Sequence, residues 1–241
     1  MKVVISQPMF FPWVGMLEQI RLADVFIYYD DVQFSKGSFT NRVQIKTPNG
    51  VKWLTAPVHI KFGQNINEVI IDTQRNWRAS HLSLLKQAYA ASTFTSEMIE
   101  IVEEVYQHSF NTISELSIAS MEALCRYYSI GTQTQFFKSS ELNVKGHSSQ
   151  RVLDIVKHFS GDVYVTGHGA MNYLDHESFE DSNIRVEYID YQKVSYEQCG
   201  GDFTPFVSTL DLIANLGKKG EAIICSETLY WKDFLKKNAQ E

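Results

Sequence analysis

The opening thirty-odd residues, MKVVISQPMFFPWVGMLEQIRLADVFIYYDDVQF, constrain the fold more than any other stretch. Lys2–Ser6 is a short apolar run of strand character, and Pro8 and Pro12 forbid regular helix directly after it. From Trp13 to Leu22, Val14, Leu17 and Ile20 recur at three-residue steps, which predicts a helix. Val25–Tyr29 is a second apolar run, with Asp30 and Asp31 at its carboxyl end. A strand, a helix and a strand in so little chain predict a parallel pair joined by a right-handed crossover.

The same alternation returns late in the chain. Thr134–Phe137 and Val163–Thr166 read as strands, and Ser149–Phe159 between them as a helix with Val152, Ile155, Val156 and Phe159 on one face. A short helix after Gly169, a strand over Arg185–Asp190 and a final helix over Pro205–Asn215, stopping before Gly217, complete the pattern. Between the two parts lies a hairpin, Asn41–Lys46 and Val51–Val58 around the turn Thr47-Pro48-Asn49-Gly50, with a further short strand within Asn65–Asp72. Three helical stretches follow: one from Asn76, a candidate cap, with Trp77, His81, Leu84, Leu85 and Ala88 on one face, then Ser96–His108 and Thr112–Ser129. The predicted fold class is α/β. It has a mainly parallel sheet with helices on both faces, plus a β-hairpin and a helical insertion over about 76–129, in one domain spanning 1–241.

Composition excludes several classes. A chain of 241 residues, 44% hydrophobic and 21% charged, can bury a core without staples. The net charge of −6 (22 basic against 28 acidic residues) argues against general nucleic-acid binding. Cys125, Cys199 and Cys225 are scattered, with no CxxC spacing, so neither a disulfide framework nor a zinc site is expected. No stretch approaches the ~20 apolar residues of a membrane span, and no signal-peptide pattern opens the chain, so a cytoplasmic protein is expected.

In an open parallel sheet, ligands settle beyond the carboxyl ends of the strands. Three unusual segments fall there: QPMFFPWVG, YYDD and TGHGAMNYLD. In the first, the prolines stiffen the loop, Gln7 can hydrogen-bond a ligand, and Phe11 and Trp13 can stack on a flat or sugar face, or else plug the end of the core. Gly15 lets the following helix approach closely. Asp30 and Asp31 are candidate general bases or magnesium ligands, and equally turn or cap residues. In the third segment Gly167 and Gly169 can bring backbone N–H groups to a ligand, His168 is a candidate base or oxyanion partner where an exposed turn histidine is the commoner outcome, and Asn172 and Tyr173 are candidate binding residues. Asn41 and Arg42 at the start of the hairpin, and Lys145, Gln150 and Arg151 around a helix start, are candidates for an anionic group. His81 is a binding candidate on an apolar helix face, where a core histidine is the commoner outcome. No H-E-x-x-H, Walker A loop or G-x-S-x-G is present. No metal site is expected.

The stretch VISQPMFFPWVGMLEQIRLADVFIYYDDVQFSKGSFTNRVQIKT resembles the opening of the WbqC-like family. NWRASHLSLLKQAY, FFKSSELNVKGHSSQRVLDIVKHF, YVTGHGAMNYLD and STLDLIANLG follow in the family's order, so the resemblance spans nearly the whole chain. The family's genes typically lie among those for bacterial surface polysaccharides such as O-antigen. That implies work on sugar-nucleotide precursors without supplying a reaction. This chain has Met9-Phe10 where the family commonly has Asn-Tyr or His-Tyr, and Met16 where Tyr is common, which bears on substrate rather than fold. A more distant likeness is to the nucleotidyltransferase and pantothenate-synthetase type of α/β fold, through the proline loop and MNYLD. Those enzymes bind ATP phosphates with paired first-loop histidines, and here the loop has none.

The expectation is therefore a transferase that acylates or aminoacylates the amino group of a nucleotide-linked sugar. A substrate amine is the nucleophile, so only a base and an oxyanion site are needed. His168, Asp30 or Asp31 supplies the base. The donor is acyl-coenzyme A or an acyl group on a carrier protein. An ATP- and magnesium-dependent amide ligase and a non-catalytic binding protein of a polysaccharide assembly complex are the alternatives. Sugar, donor and oligomeric state stay open.

Overall fold

The computed structural model describes residues 1–239. In chain order the elements are β1 (Lys2–Ser6), α1 (Val14–Arg21), β2 (Val25–Tyr28), the hairpin β3 (Arg42–Thr47) and β4 (Gly50–Thr55), and the short pair β5 (Val58–His59) and β6 (Ile70–Ile71). Helices α2 (Trp77–Ala88), α3 (Thr95–Gln107) and α4 (Ile113–Tyr128) follow, then β7 (Gln135–Lys138), α5 (Ser148–His158), β8 (Val163–Thr166), α6 (His176–Asp181) and β9 (Arg185–Asp190). The chain continues through α7 (Thr209–Leu216), β10 (Glu227–Tyr230) and α8 (Trp231–Asn238).

The central sheet has six strands in the order β10-β9-β8-β1-β2-β7, all parallel except β10, which runs antiparallel to β9. The inner strands are near-continuous apolar runs because both their faces are covered. Val4, Phe26 and Val165 pack with Met16 and Ile20 of α1 and Met121 of α4 on one face. Val3, Ile5 and Ile27 pack with α5 (Val152, Ile155), α6 (Phe179) and α8 (Phe234) on the other. A second core joins the hairpin (Val43, Ile45) to Leu85 of α2, Val102 of α3, Leu124 of α4 and Ile213 of α7. Helix α4 belongs to both cores, through Met121 on one side and Leu124 on the other.

The final helix is shorter than its sequence pattern suggests, beginning at Thr209 on a Ser208 cap, and it is not the last element. Strand β10 and helix α8 were missed because both are short, and α8 buries only Phe234. Asn76 precedes α2, but its side chain makes no capping bond. Among the described residues no helix is long and apolar enough to cross a membrane.

Strand order sets the position of the site. From β1 the chain passes through α1 to β2 on one side, whereas β8 lies on the other side of β1 and is followed by α6 on the opposite face. The loops leaving the carboxyl ends of β1 and β8 diverge, and a crevice opens between them.

His81 shows how completely the second core is paired. Its Nε2 donates to the Thr55 carbonyl at 3.1 Å, and Nδ1 accepts from Tyr106 Oη at 2.8 Å. Burial pushes its pKa from 6.5 down to about 4. The unfolded chain therefore binds a proton before the folded one as pH falls, so stability is full above about 6.5 and declines toward pH 4. The lost stability is about 3 kcal/mol. Urea unfolding across this window is expected to show that decline, and His81→Leu to flatten it.

Candidate functional site

A cleft of about 840 Å³ lies at the divergence of β1 and β8. It is lined by the ends of three strands: Ile5, Ser6 and Gln7 after β1, Tyr29 and Asp31 after β2, and Thr166, Gly167, His168 and Gly169 after β8. The proline loop, the acidic pair and the Gly-His-Gly corner thus share one cavity, each through some of its residues.

The proline loop is held from behind. Phe11 sits at φ 39°, in the left-handed region that costs a large side chain free energy. Its N–H donates to Ser120 Oγ at 2.8 Å and its carbonyl accepts from Ser208 Oγ at 2.6 Å. The Pro12 carbonyl accepts from Thr209 N and Oγ1, each at 2.8 Å. Phe11 is fully buried against Phe10 and Tyr106, so it is core and not the stacking residue its position suggests. Trp13 does face the cleft, its ring 4.8 Å from that of Tyr191 and 5.5 Å from that of Phe206. Gly15 makes room for that ring: a Cβ there would stand 2.3 Å from the indole. Of the positions that depart from family usage, Met9 lines the cleft, whereas Phe10 and Met16 are buried in the cores.

The two aspartates have different fates. Asp30 is buried and turned away from the cleft. Its Oδ1 accepts from Ser139 Oγ at 3.2 Å and Ser140 N at 3.1 Å, and its Oδ2 from Ser140 Oγ at 2.9 Å. It ties the end of β2 to the turn after β7 and is not available as a base. Asp31 lines the cleft in a bidentate pair with Arg151, Nη1–Oδ1 3.0 Å and Nη2–Oδ2 2.5 Å, and accepts from Ser139 Oγ at 2.5 Å. Burial pushes the Asp31 carboxyl up, but the hydrogen bonds from Arg151 and Ser139 outweigh it and hold the carboxyl below its ordinary value. A carboxylate so engaged is a poor base. For Arg151, burial disfavours the charge, and Asp31 more than restores it. Its Nε donates to the Val144 carbonyl at 3.0 Å, so the guanidinium is fixed at the cleft wall. No group of three or more His, Cys, Asp or Glu side chains fit to hold a metal lies among the described residues.

At the third strand end, His168 Nε2 donates to the Ile189 carbonyl at 2.8 Å. That bond occupies Nε2 and leaves Nδ1 as the open ring nitrogen, which makes no hydrogen bond among the described residues. The ring lies between those of Tyr191 (5.0 Å) and Phe234 (4.7 Å). Tyr191 Oη accepts from Gln19 Nε2 at 2.9 Å, and a Cβ on Gly167 would sit 3.0 Å from that oxygen, so Gly167 admits the Tyr191–Gln19 pair over the strand end. Gly169 faces open space. Tyr173 lines the cleft, and its neighbour Asn172 is exposed outside it.

Other candidates lie elsewhere. Asn41 is buried and donates to the Ala56 carbonyl at 3.0 Å. Arg42 stacks over Trp53 at 4.0 Å and donates to the Gly37 carbonyl, a hairpin brace outside the cleft. His81 belongs to the second core. Lys145 is exposed and Gln150 bonds Asp154 along α5; the cleft is lined there by Gly146, His147 and Ser148 instead. Gln19, Tyr29, Tyr191, Lys193 and Phe206 also line the cleft and were missed. Tyr29 and Tyr191 sit just past strand ends, the signal that could have found them. Phe206 lies in a loop and has no local signal.

The sequence matches the WbqC-like protein family over residues 7–223. Uncharacterized protein Rv1507c of Mycobacterium tuberculosis is 34% identical over 220 residues, covering 90% of this chain and 94% of that protein. No solved structure matches significantly.

The Asp31–Arg151 pair generates a test. The two side chains are only 22% and 9% exposed, so Asp31→Asn strands a buried guanidinium. An expected loss of about 2–4 kcal/mol follows, and combining it with Arg151→Met is expected to recover part of it. Urea unfolding of the single and double variants measures both. Equal losses in the two would contradict a coupled pair.

Proposed function

The chain belongs to the WbqC-like protein family, and from that premise and the geometry of the cleft we propose that it is a transferase acting on a nucleotide-linked sugar. The reaction is transfer of an acyl or aminoacyl group to a sugar amine. The observation that carries this reading is His168 in the cleft, whose Nε2 is committed to the Ile189 carbonyl and whose Nδ1 makes no hydrogen bond among the described residues.

The chemistry suits an acyl thioester donor. The sugar amine attacks the thioester carbonyl, a C–N bond forms and the C–S bond breaks. The proton lost by nitrogen passes to His168 Nδ1 and then to the leaving thiolate. N–H groups at the start of the turn His168–Asn172 supply the oxyanion site, because the first amides of such a turn have no partner within it. The Trp13 wall offers a flat apolar face to sugar or base. Lys193 at the rim, and the start of α5 at Gly146–Ser148, favour the anionic diphosphate. With Asp30 buried and Asp31 paired, His168 is the base.

Incubation with UDP-glucosamine and acetyl- or glycyl-thioesters, followed by mass spectrometry, tests this. The expected product is the amide, with His168→Gln lowering kcat by roughly 10²–10⁴-fold while its melting temperature shifts by no more than about 2 °C. Release of AMP when ATP is supplied, or turnover unaffected in His168→Gln, would refute the reading.

A further inference from the structure

Behind Trp13 a small pocket adjoins the cleft, sharing Trp13, Tyr191 and Lys193 with it. The remaining walls that matter are the rings of Tyr196 and Phe203 and the side chain of Glu18. The free space is about 20 Å³, room for one water-sized group.

Glu18 is unusual. It is 3% exposed on α1, yet both of its hydrogen bonds fall on Oε1, from Ser226 N at 3.1 Å and Ser226 Oγ at 2.6 Å. Oε2 makes no hydrogen bond among the described residues, and no Lys, Arg or His among them pairs with the carboxylate. Arg21, one turn further along α1, is held instead by the Ser226 carbonyl and Glu227. A buried carboxylate without a counter-charge is costly, and a cation brought to it recovers that cost. Four aromatic side chains, Trp13, Tyr191, Tyr196 and Phe203, line the same space, and an ammonium that meets a ring face there is attracted further. Lys193 is the one opposing charge on the wall. Its Nζ lies 5.5 Å from the ring of Phe206, which lines the main cleft and not this pocket.

A carboxylate with one oxygen free of hydrogen bonds, beside aromatic side chains and a space of this size, fits a small ammonium group. We propose that this pocket takes the ammonium head of a small primary amine.

Calorimetry at pH 7 with glycinamide, and with N-acetylglycinamide as its uncharged counterpart, tests the pocket without turnover. Saturable binding of glycinamide and none of the acetylated probe are expected. Glu18→Gln is expected to weaken glycinamide by roughly tenfold or more, and Phe203→Leu, which leaves the charge in place, by about three- to tenfold. The inference falls if the two probes bind alike, or if folded Glu18→Gln retains wild-type affinity. Should Glu18→Gln not fold, unchanged affinity in Phe203→Leu overturns it alone. A separate titration with UDP-glucosamine reports on the main cleft. Loss of that binding with glycinamide binding intact counts against the transferase reading and not against the ammonium pocket, and the converse result counts only against the pocket.

Discussion

The site depends on a clamp between the first loop and the start of α7. Ser208 and Thr209 hold the carbonyls of Phe11 and Pro12, segments 197 residues apart in sequence, and Ser120 of α4 holds the Phe11 amide. Each such bond contributes about 1 kcal/mol net, but a buried group left without its partner costs about 1–3 kcal/mol. That asymmetry offsets the left-handed backbone at Phe11 and fixes the loop in one path. Phe11 then faces the core, and Trp13 becomes the wall between the main cleft and the small pocket. The clamp uses α7, whose own first turn is capped by the same Ser208, so helix end and loop are fixed together.

Electrostatics divides the remaining work. Asp30 and Asp31 are adjacent in sequence and meet at the Ser139 hydroxyl, but only Asp31 lines the cleft. Asp30 spends its oxygens on the turn at Ser139 and Ser140. Asp31 is neutralised by Arg151. Both carboxylates are therefore committed to structure, and His168 is left with an open ring nitrogen. Glu18, by contrast, is held by Ser226 alone, which is why its pocket stands out chemically.

Much of this was legible in the sequence, and what was not has physical causes. Apolar runs buried on both faces identified β1, β2, β8 and β9, and strand ends are where parallel sheets bind ligands, so Gln7, Asp31 and His168 could be placed beside one cavity from pattern alone. Which side chain of a loop faces inward could not, because Phe11 and Trp13 differ only through a backbone twist set by distant serines. Arg42 and Asn41 looked like anion ligands because their types are right, but Trp53 and Ala56 reach them across the hairpin and Gly37 from the turn before it. Tyr191 and Phe206 enter the cleft from opposite ends of a segment without regular structure, where periodicity carries no information. Strand β10 and helix α8 lack the apolar repeats that announce an element.

The central claim is that three strand ends form one substrate cleft. A crystal structure of the protein soaked with UDP-glucosamine tests it most directly. The account predicts electron density for the nucleotide sugar between Trp13 and Arg151, with the sugar amine near His168 Nδ1. Density seated instead in the exposed groove at Arg75 and Arg78, on the far edge of the second core, would contradict it.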